Sequence, residues 1–169
     1  MSASYDLQVA VPGNNNVPAD GDGPSFQRIL VPVRWPDDSA AAVVAATRIS
    51  GATIEGALRL VHVRIYDPPM PRCPGYFYPQ TAAEAAAVLD EALLLAWQCG
   101  AQATTAVADA PRGKVAAAIA REASAWRADM IVLTRRRRPA ISRVVQGSVA
   151  DQVMRKASCP VLTVHPMQK

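Results

Sequence analysis

The chain is poor in aromatic residues, 5% of its 169 positions, and has only three cysteines, Cys73, Cys99 and Cys159. An odd number of widely spaced cysteines suits neither a disulfide framework nor a zinc site. They are expected to be reduced, with Cys99 and Cys159 as small packing residues. No apolar run approaches the roughly 20 residues of a membrane-spanning helix; the leucine-rich run around Leu93 to Trp97 falls far short of it. Met1 to Asn16 is polar and has no apolar stretch behind a basic start, so no secretory signal is read there and a cytoplasmic location is expected. Gly-x-Ser-x-Gly is missing, and Asp109, Asp129 and Asp151 form no Ser-His-Asp or paired-carboxylate set. His62 and His165 have no metal-ligand spacing and read as structural. Neither a catalytic site nor a metal site is expected.

What is present is a chain half apolar and long enough to bury one core. Its net charge of +4 is unevenly spread. Residues 1 to 134 carry 10 basic and 13 acidic side chains, and residues 135 to 169 carry 8 basic and 1 acidic. The positive charge therefore belongs to one end of the fold, where it either meets a local anionic partner or makes a solvated face.

Residues 1–27 show no sustained apolar period and include Gly13-Asn14-Asn15-Asn16 and Asp20-Gly21-Asp22-Gly23-Pro24. A flexible tail is expected there, followed by one domain over 28–166 and a short tail at 167–169. Ile29 to Val33 is the continuous branched run of a strand buried on both faces. A helix is expected to follow, with its N-cap at Asp37, Asp38 or Ser39 and Trp35 partly buried. Leu58 to Val63 reads as the second strand. A proline-rich loop follows, with Tyr66, Tyr76, Phe77 and Tyr78. It is read either as a lid on its own domain or as a docking surface.

Thr81 and Glu84 have the spacing of a capping box for a helix from Ala82 to Cys99, which Gly100 ends. Ala101 to Ala108, Ile131 to Leu133 and Val161 to Val164 complete the strands, with helices over Gly113 to Arg127 and Gly147 to Ala157. Strands that alternate with helices imply an open five-stranded parallel sheet with helices on both faces. In such a sheet ligands sit beyond the carboxyl ends of the strands, and a Gly-Ser helix start offers free N–H groups to an anion.

The stretch from Met130 to Val164 carries a resemblance. A strand, an arginine-rich loop, Gly147-Ser148-Val149 and Cys159-Pro160-Val161-Leu162-Thr163-Val164 resemble in order and spacing the C-terminal half of universal stress protein domains. Arg28 to Val33 resembles the first strand of that family. The resemblance covers about residues 28 to 165. It implies a Rossmann-like fold of the adenine nucleotide alpha hydrolase type and a site for ATP or another adenine nucleotide. It also implies a homodimer that pairs through the last strand, here Val161, Leu162 and Val164.

Three positions depart from the family pattern. The two loop glycines are Thr134 and Arg137, and the aspartate after the first strand is Arg34. Side chains now stand where the backbone approached phosphate, and the charge beside the metal is reversed. These changes argue against a magnesium ATP site of the usual kind. Two readings remain for the arginines. Arg34, Arg135, Arg136, Arg137 and Arg138 replace the backbone cradle with guanidinium forks that hold a nucleotide or other phosphorylated ligand on Gly147 and Ser148, or they are solvated and fill the vacated groove. Val63 matches the strand position beside the base, yet a strand valine is ordinarily core. The expected function is a non-catalytic stress-response or signalling module, with a nucleotide sensor as the alternative. A protein partner fits either reading, whereas no nucleic-acid motif and no membrane segment are found.

Overall fold

The structure of the protein, a computed structural model, describes residues 6–10, 26–50, 57–71, 74–135 and 149–165. Strands β1 (Asp6–Ala10), β2 (Arg28–Val33), β3 (Ala57–Tyr66), β4 (Ala103–Pro111), β5 (Met130–Thr134) and β6 (Val161–His165) form one sheet in the order β1-β6-β5-β2-β3-β4. β2 to β6 are parallel to one another, as expected, whereas β1 pairs antiparallel with β6. The tail expected over residues 1–27 is thus corrected at Asp6–Ala10, which is an edge strand. Its five residues are too short a window for alternation to stand out among the surrounding Asn, Gly and Pro.

Between the strands run α1 (Pro36–Ser50), α2 (Ala82–Gln98), α3 (Val115–Ala125) and α4 (Val149–Lys156). Alternate residues of the central strands enter two different cores. Ile29, Val31 and Val33 of β2 and Val132 of β5 pack with α1 and α2, whereas Leu30, Ile131 and Leu133 pack with α3 and α4. Both faces are covered, which is why these strands read as unbroken apolar runs. Each buried Leu, Ile or Val contributes about 1.5 to 3 kcal/mol of transfer free energy.

Local chemistry sets the ends of the helices. Thr81 Oγ1 accepts the Glu84 N–H at 3.2 Å, and the Glu84 carboxylate accepts the Thr81 N–H at 2.7 Å, so the expected capping box is formed. Gly100 follows α2 at φ 82, a left-handed conformation that glycine adopts without steric cost. The start of α1 differs from expectation. Pro36 opens the helix, where its missing N–H costs nothing, and this places Asp37 and Asp38 in the first turn. Ser39 Oγ instead accepts the Arg34 N–H at 3.1 Å. The third expected strand also starts later and runs further, because β4 pairs with β3 as far as Tyr66 and Pro111. Cys159 is buried as expected, and burial pushes its thiol pKa up. Cys99 is exposed, because α2 ends just before it. Cys73 lies outside the described residues.

The amino end of the sheet is stapled. The Asp129 carboxylate accepts the N–H groups of Gln27 and Arg28, and the Asp129 N–H donates to the Arg28 carbonyl at 3.0 Å. Arg28 and Arg59 lie 4.8 and 5.7 Å from the centre of the Trp126 ring, and Arg59 also pairs with Glu122 at 2.9 Å. Replacing Ile131, which is fully buried, with alanine is expected to destabilise the fold by about 2 to 5 kcal/mol, as chemical denaturation would measure.

Candidate functional site

The strand order reverses beside β2. From β2 the chain adds β3 and β4 on one side, then returns to place β5 and β6 on the other. Such a switch point leaves a crevice beyond the carboxyl ends of the two strands that flank it, here β2 and β5. The ladder between them is confined to Ile29 with Met130 and Leu30 with Ile131. It stops at Leu30, two positions before Pro32, which has no N–H to give. The ladder between β2 and β3, by contrast, continues to Val33 and His62.

Arg34 leaves the end of β2, exposed, with its N–H held by Ser39. Trp35 beside it is 52% exposed rather than partly buried, because the helix turns away at Pro36. Across the crevice β5 ends at Thr134. Its hydroxyl is buried and, among the described residues, has no hydrogen-bond partner. Arg135 is tied down on two sides: its N–H donates to the Val164 carbonyl at 2.9 Å, and its guanidinium pairs with Asp151 of α4 at 3.0 Å. Arg135 is therefore a strut between the end of β5 and α4, a partner that sequence reading did not assign to it. Arg136, Arg137, Arg138, Gly147 and Ser148 lie outside the described residues. Val149, at the start of α4, is exposed.

Val63 packs against the α3 side of the sheet, as an ordinary strand valine does. His62, its neighbour, reads as structural in the geometry too. Its Nδ1–H donates to the Val33 carbonyl at 2.8 Å, and its Nε2 lies 2.7 Å from the Gln80 side-chain amide. With the proton on Nδ1, a neutral ring requires the Gln80 amide to turn its NH2 group toward Nε2. The buried ring thus links the end of β2 and the middle of β3 to the residue before Thr81, the cap of α2. Val161, Leu162 and Val164 are buried at 0, 4 and 0% exposure, and the outer edge of their strand is taken by β1. Their side chains face the chain's own core, so any pairing of a second copy there would use the backbone edge.

The tyrosine-rich loop folds back on its own strands. Asp67 and Phe77 form an antiparallel bridge through paired N–H and carbonyl groups. Tyr66 packs edge-on against Tyr76 and tilted against Tyr78, with ring centres 5.4 and 5.5 Å apart. Arg64 lies 4.3 Å from the centre of the Tyr78 ring and grips Asp109 through two hydrogen bonds, at 2.8 and 3.1 Å. Arg112 grips Asp67 in the same way, at 2.7 Å for both. Tyr76 and Phe77 remain exposed at the tip. The hydrogen bonds from arginine hold both carboxyls below the ordinary aspartate range, although desolvation opposes this.

The model of the universal stress protein family matches residues 25–165. No curated protein matches the chain. Solved structures do. A universal stress protein from Archaeoglobus fulgidus is 24% identical over 82% of this chain and 98% of its own, with a TM-score of 0.63. A universal stress protein in complex with cAMP is 22% identical over 85% of this chain and 100% of its own, with a TM-score of 0.62. The Archaeoglobus fulgidus protein in complex with dAMP is 23% identical over 83% and 99%, with a TM-score of 0.59. At these identities the likeness is one of fold.

Two outcomes are expected. In the folded protein Asp67 and Asp109 should titrate below the value of about 3.9 for a free aspartate, as carboxyl NMR would show. A lowered folded pKa contributes stability that is fully present above the unfolded value and is lost as pH falls through the folded one, so this loop should loosen only in acid. Arg64→Ala should return Asp109 toward its ordinary value and leave Asp67 where it is. Separately, His62→Ala strips the buried Val33 carbonyl of its donor and should cost about 1 to 3 kcal/mol by denaturation.

Proposed function

The chain belongs to the universal stress protein family, and we propose that it works as a non-catalytic stress-response or signalling module rather than as a conventional binder of magnesium ATP. The observation that supports this reading is the charge and bulk of the crevice. Arg34 puts a cation beyond β2 where the family resemblance sets an aspartate beside the metal. Thr134 puts a side chain at the end of β5 where that resemblance sets a glycine. Arg135 spends its guanidinium on Asp151. A magnesium ion has lost its carboxylate there, and the phosphates have lost their close approach to the backbone. The proposed location is cytoplasmic.

A second reading is supported by the same crevice. Arg34 is an exposed guanidinium, and the Thr134 hydroxyl is buried without a partner among the described residues; both are groups that a phosphate could satisfy. The likeness in fold to structures solved with cAMP and dAMP supports an adenine nucleotide as such a ligand. Arg137, Arg138, Gly147 and Ser148 would complete the phosphate contacts, without magnesium.

Calorimetric and thermal-shift titration with ATP, ADP, AMP and cAMP, with and without magnesium, separates the two. A ligand that binds only the folded state raises its stability by roughly 2.7 kcal/mol at a hundredfold excess over Kd. The module reading expects no shift with any of them. A magnesium-independent shift that Arg34→Ala removes would establish the sensor, and a magnesium-dependent shift with ATP would overturn both readings.

A further inference from the structure

The two outer edges of the sheet are treated differently. β6 is covered backbone to backbone by β1, whereas β4 shows no further strand beside it among the described residues. β4 is nine residues long and keeps one constant register with β3 from Ala103 to Pro111, so no bulge twists it away. Its one charged residue, Asp109, is held by Arg64, and its one proline is the last residue. Free charges, prolines and bulges are the devices that ordinarily keep a bare edge from pairing. From Ala103 to Ala108 this edge has none of them.

The direction of its backbone groups follows from one hydrogen bond. The Arg112 N–H donates to the Tyr66 carbonyl, toward β3, at 3.0 Å. N–H and C=O groups alternate in direction along a strand, so Thr104, Ala106, Ala108 and Ala110 also turn theirs toward β3. Ala103, Thr105, Val107 and Asp109 present theirs outward. Side chains alternate with the same period. Ala103 packs with the core under α1 and α2, whereas Ala106 and Ala108 pack with the core under α3 and α4. The residues with outward backbone groups are therefore the ones on the α2 face.

α2 completes the surface. Leu93, Leu94 and Trp97 line a groove of about 480 Å³ with Ala101, Gln102 and Ala103 at the start of β4, and Asp90 lines it as well. Leu94, Trp97 and Val107 are exposed at 52, 70 and 47%, and large apolar side chains gathered along one edge mark an interaction site. α2 contains Glu84, Asp90 and Glu91 and neither lysine nor arginine. Glu84 is used by the cap, while Asp90 and Glu91 are exposed and pair with no cation among the described residues.

We propose that the β4 edge is a docking site for an extended segment of a partner protein, one that carries a large apolar side chain flanked on the same face by lysine or arginine. The segment adds to the sheet as a further strand, with Ala103, Thr105 and Val107 supplying the ladder. Residues opposite one another in a sheet share a face. Alternate side chains of the segment thus point toward α2, the apolar one filling the groove beside Leu94 and Trp97 and the basic ones meeting Asp90 and Glu91. Charge selects this occupant over a second copy. A symmetric pair of β4 strands is antiparallel about a twofold axis normal to the sheet, which sets α2 beside its mate on the same face. Asp90 and Glu91 would then confront their own copies with no cation between them. The proposal goes beyond the reading of the crevice and is independent of whether a nucleotide binds there.

NMR titration with amide exchange tests this, using a synthetic peptide as long as β4 with leucine at its centre, lysine two residues to either side and threonine elsewhere. The intact chain should bind it, with slower exchange at Thr105 and Val107 and little change at Ala106 and Ala108, whose N–H groups are already spent on β3. Glutamate in place of both lysines should weaken binding by about tenfold or more, and the double variant Asp90→Lys and Glu91→Lys should reverse that preference. Trp97→Ala should weaken binding of the lysine peptide by about tenfold or more. Thr105→Pro removes an outward N–H, a change that an edge strand tolerates, and should abolish binding. Failure of the lysine peptide to bind, equal binding of the two peptides, or shifts confined to residues away from α2 and β4 overturns the proposal. So does an intact chain that is a dimer with the Thr105 amide already protected. Should Thr105→Pro not fold, the charge variants on the exposed face of α2 still decide the matter.

Discussion

A parallel sheet has to be covered on both faces, and the architecture here follows from how that is done around β2. Ile29, Leu30 and Val31 are wholly buried, with neighbours alternately above and below. Once β2 lies at the centre with α1 and α2 on one side and α3 and α4 on the other, the chain must build outward in one direction and then return. That return creates the crevice. The crevice beyond the ends of β2 and β5 is thus a consequence of how these apolar residues are buried.

Around that crevice, charge has been redistributed rather than removed. Arginine stands beyond β2, and the first arginine of the basic run is neutralised by Asp151 at the start of α4. Farther along the same end of the sheet, Arg64 and Arg112 are each clasped by an aspartate. Ion pairs this exposed contribute little to stability. What they supply is geometry: they fix the loop after β3 against β4 and leave Tyr76 and Phe77 presented outward. A module that signals through contacts rather than chemistry would need such a fixed surface.

Much of this was legible in the residues, and what was missed has physical reasons. The central strands, the capping box of Thr81 and Glu84 and the left-handed Gly100 follow from short-range rules and from burial on two faces. The start of α1 was misplaced because three good capping residues stand in a row, and Pro36 settles the question by its fixed backbone rather than by a side-chain bond. Strand β1 escaped notice because its stability comes from a partner more than 150 residues away, and no local pattern carries that information. The pairing of Arg135 with Asp151 was hidden for a related reason, because it requires knowing where α4 starts relative to the end of β5. Charge runs reveal their sign in a sequence and conceal their partners.

The two-pair ladder between β2 and β5 has a mechanical consequence. At the amino end these strands are bound by Asp129 and by the arginines stacked on Trp126, whereas beyond Leu30 and Ile131 no ladder joins them. The crevice therefore lies where β2 and β5 are no longer laddered, while the opposite end of the same strands is held by hydrogen bonds and stacked arginines.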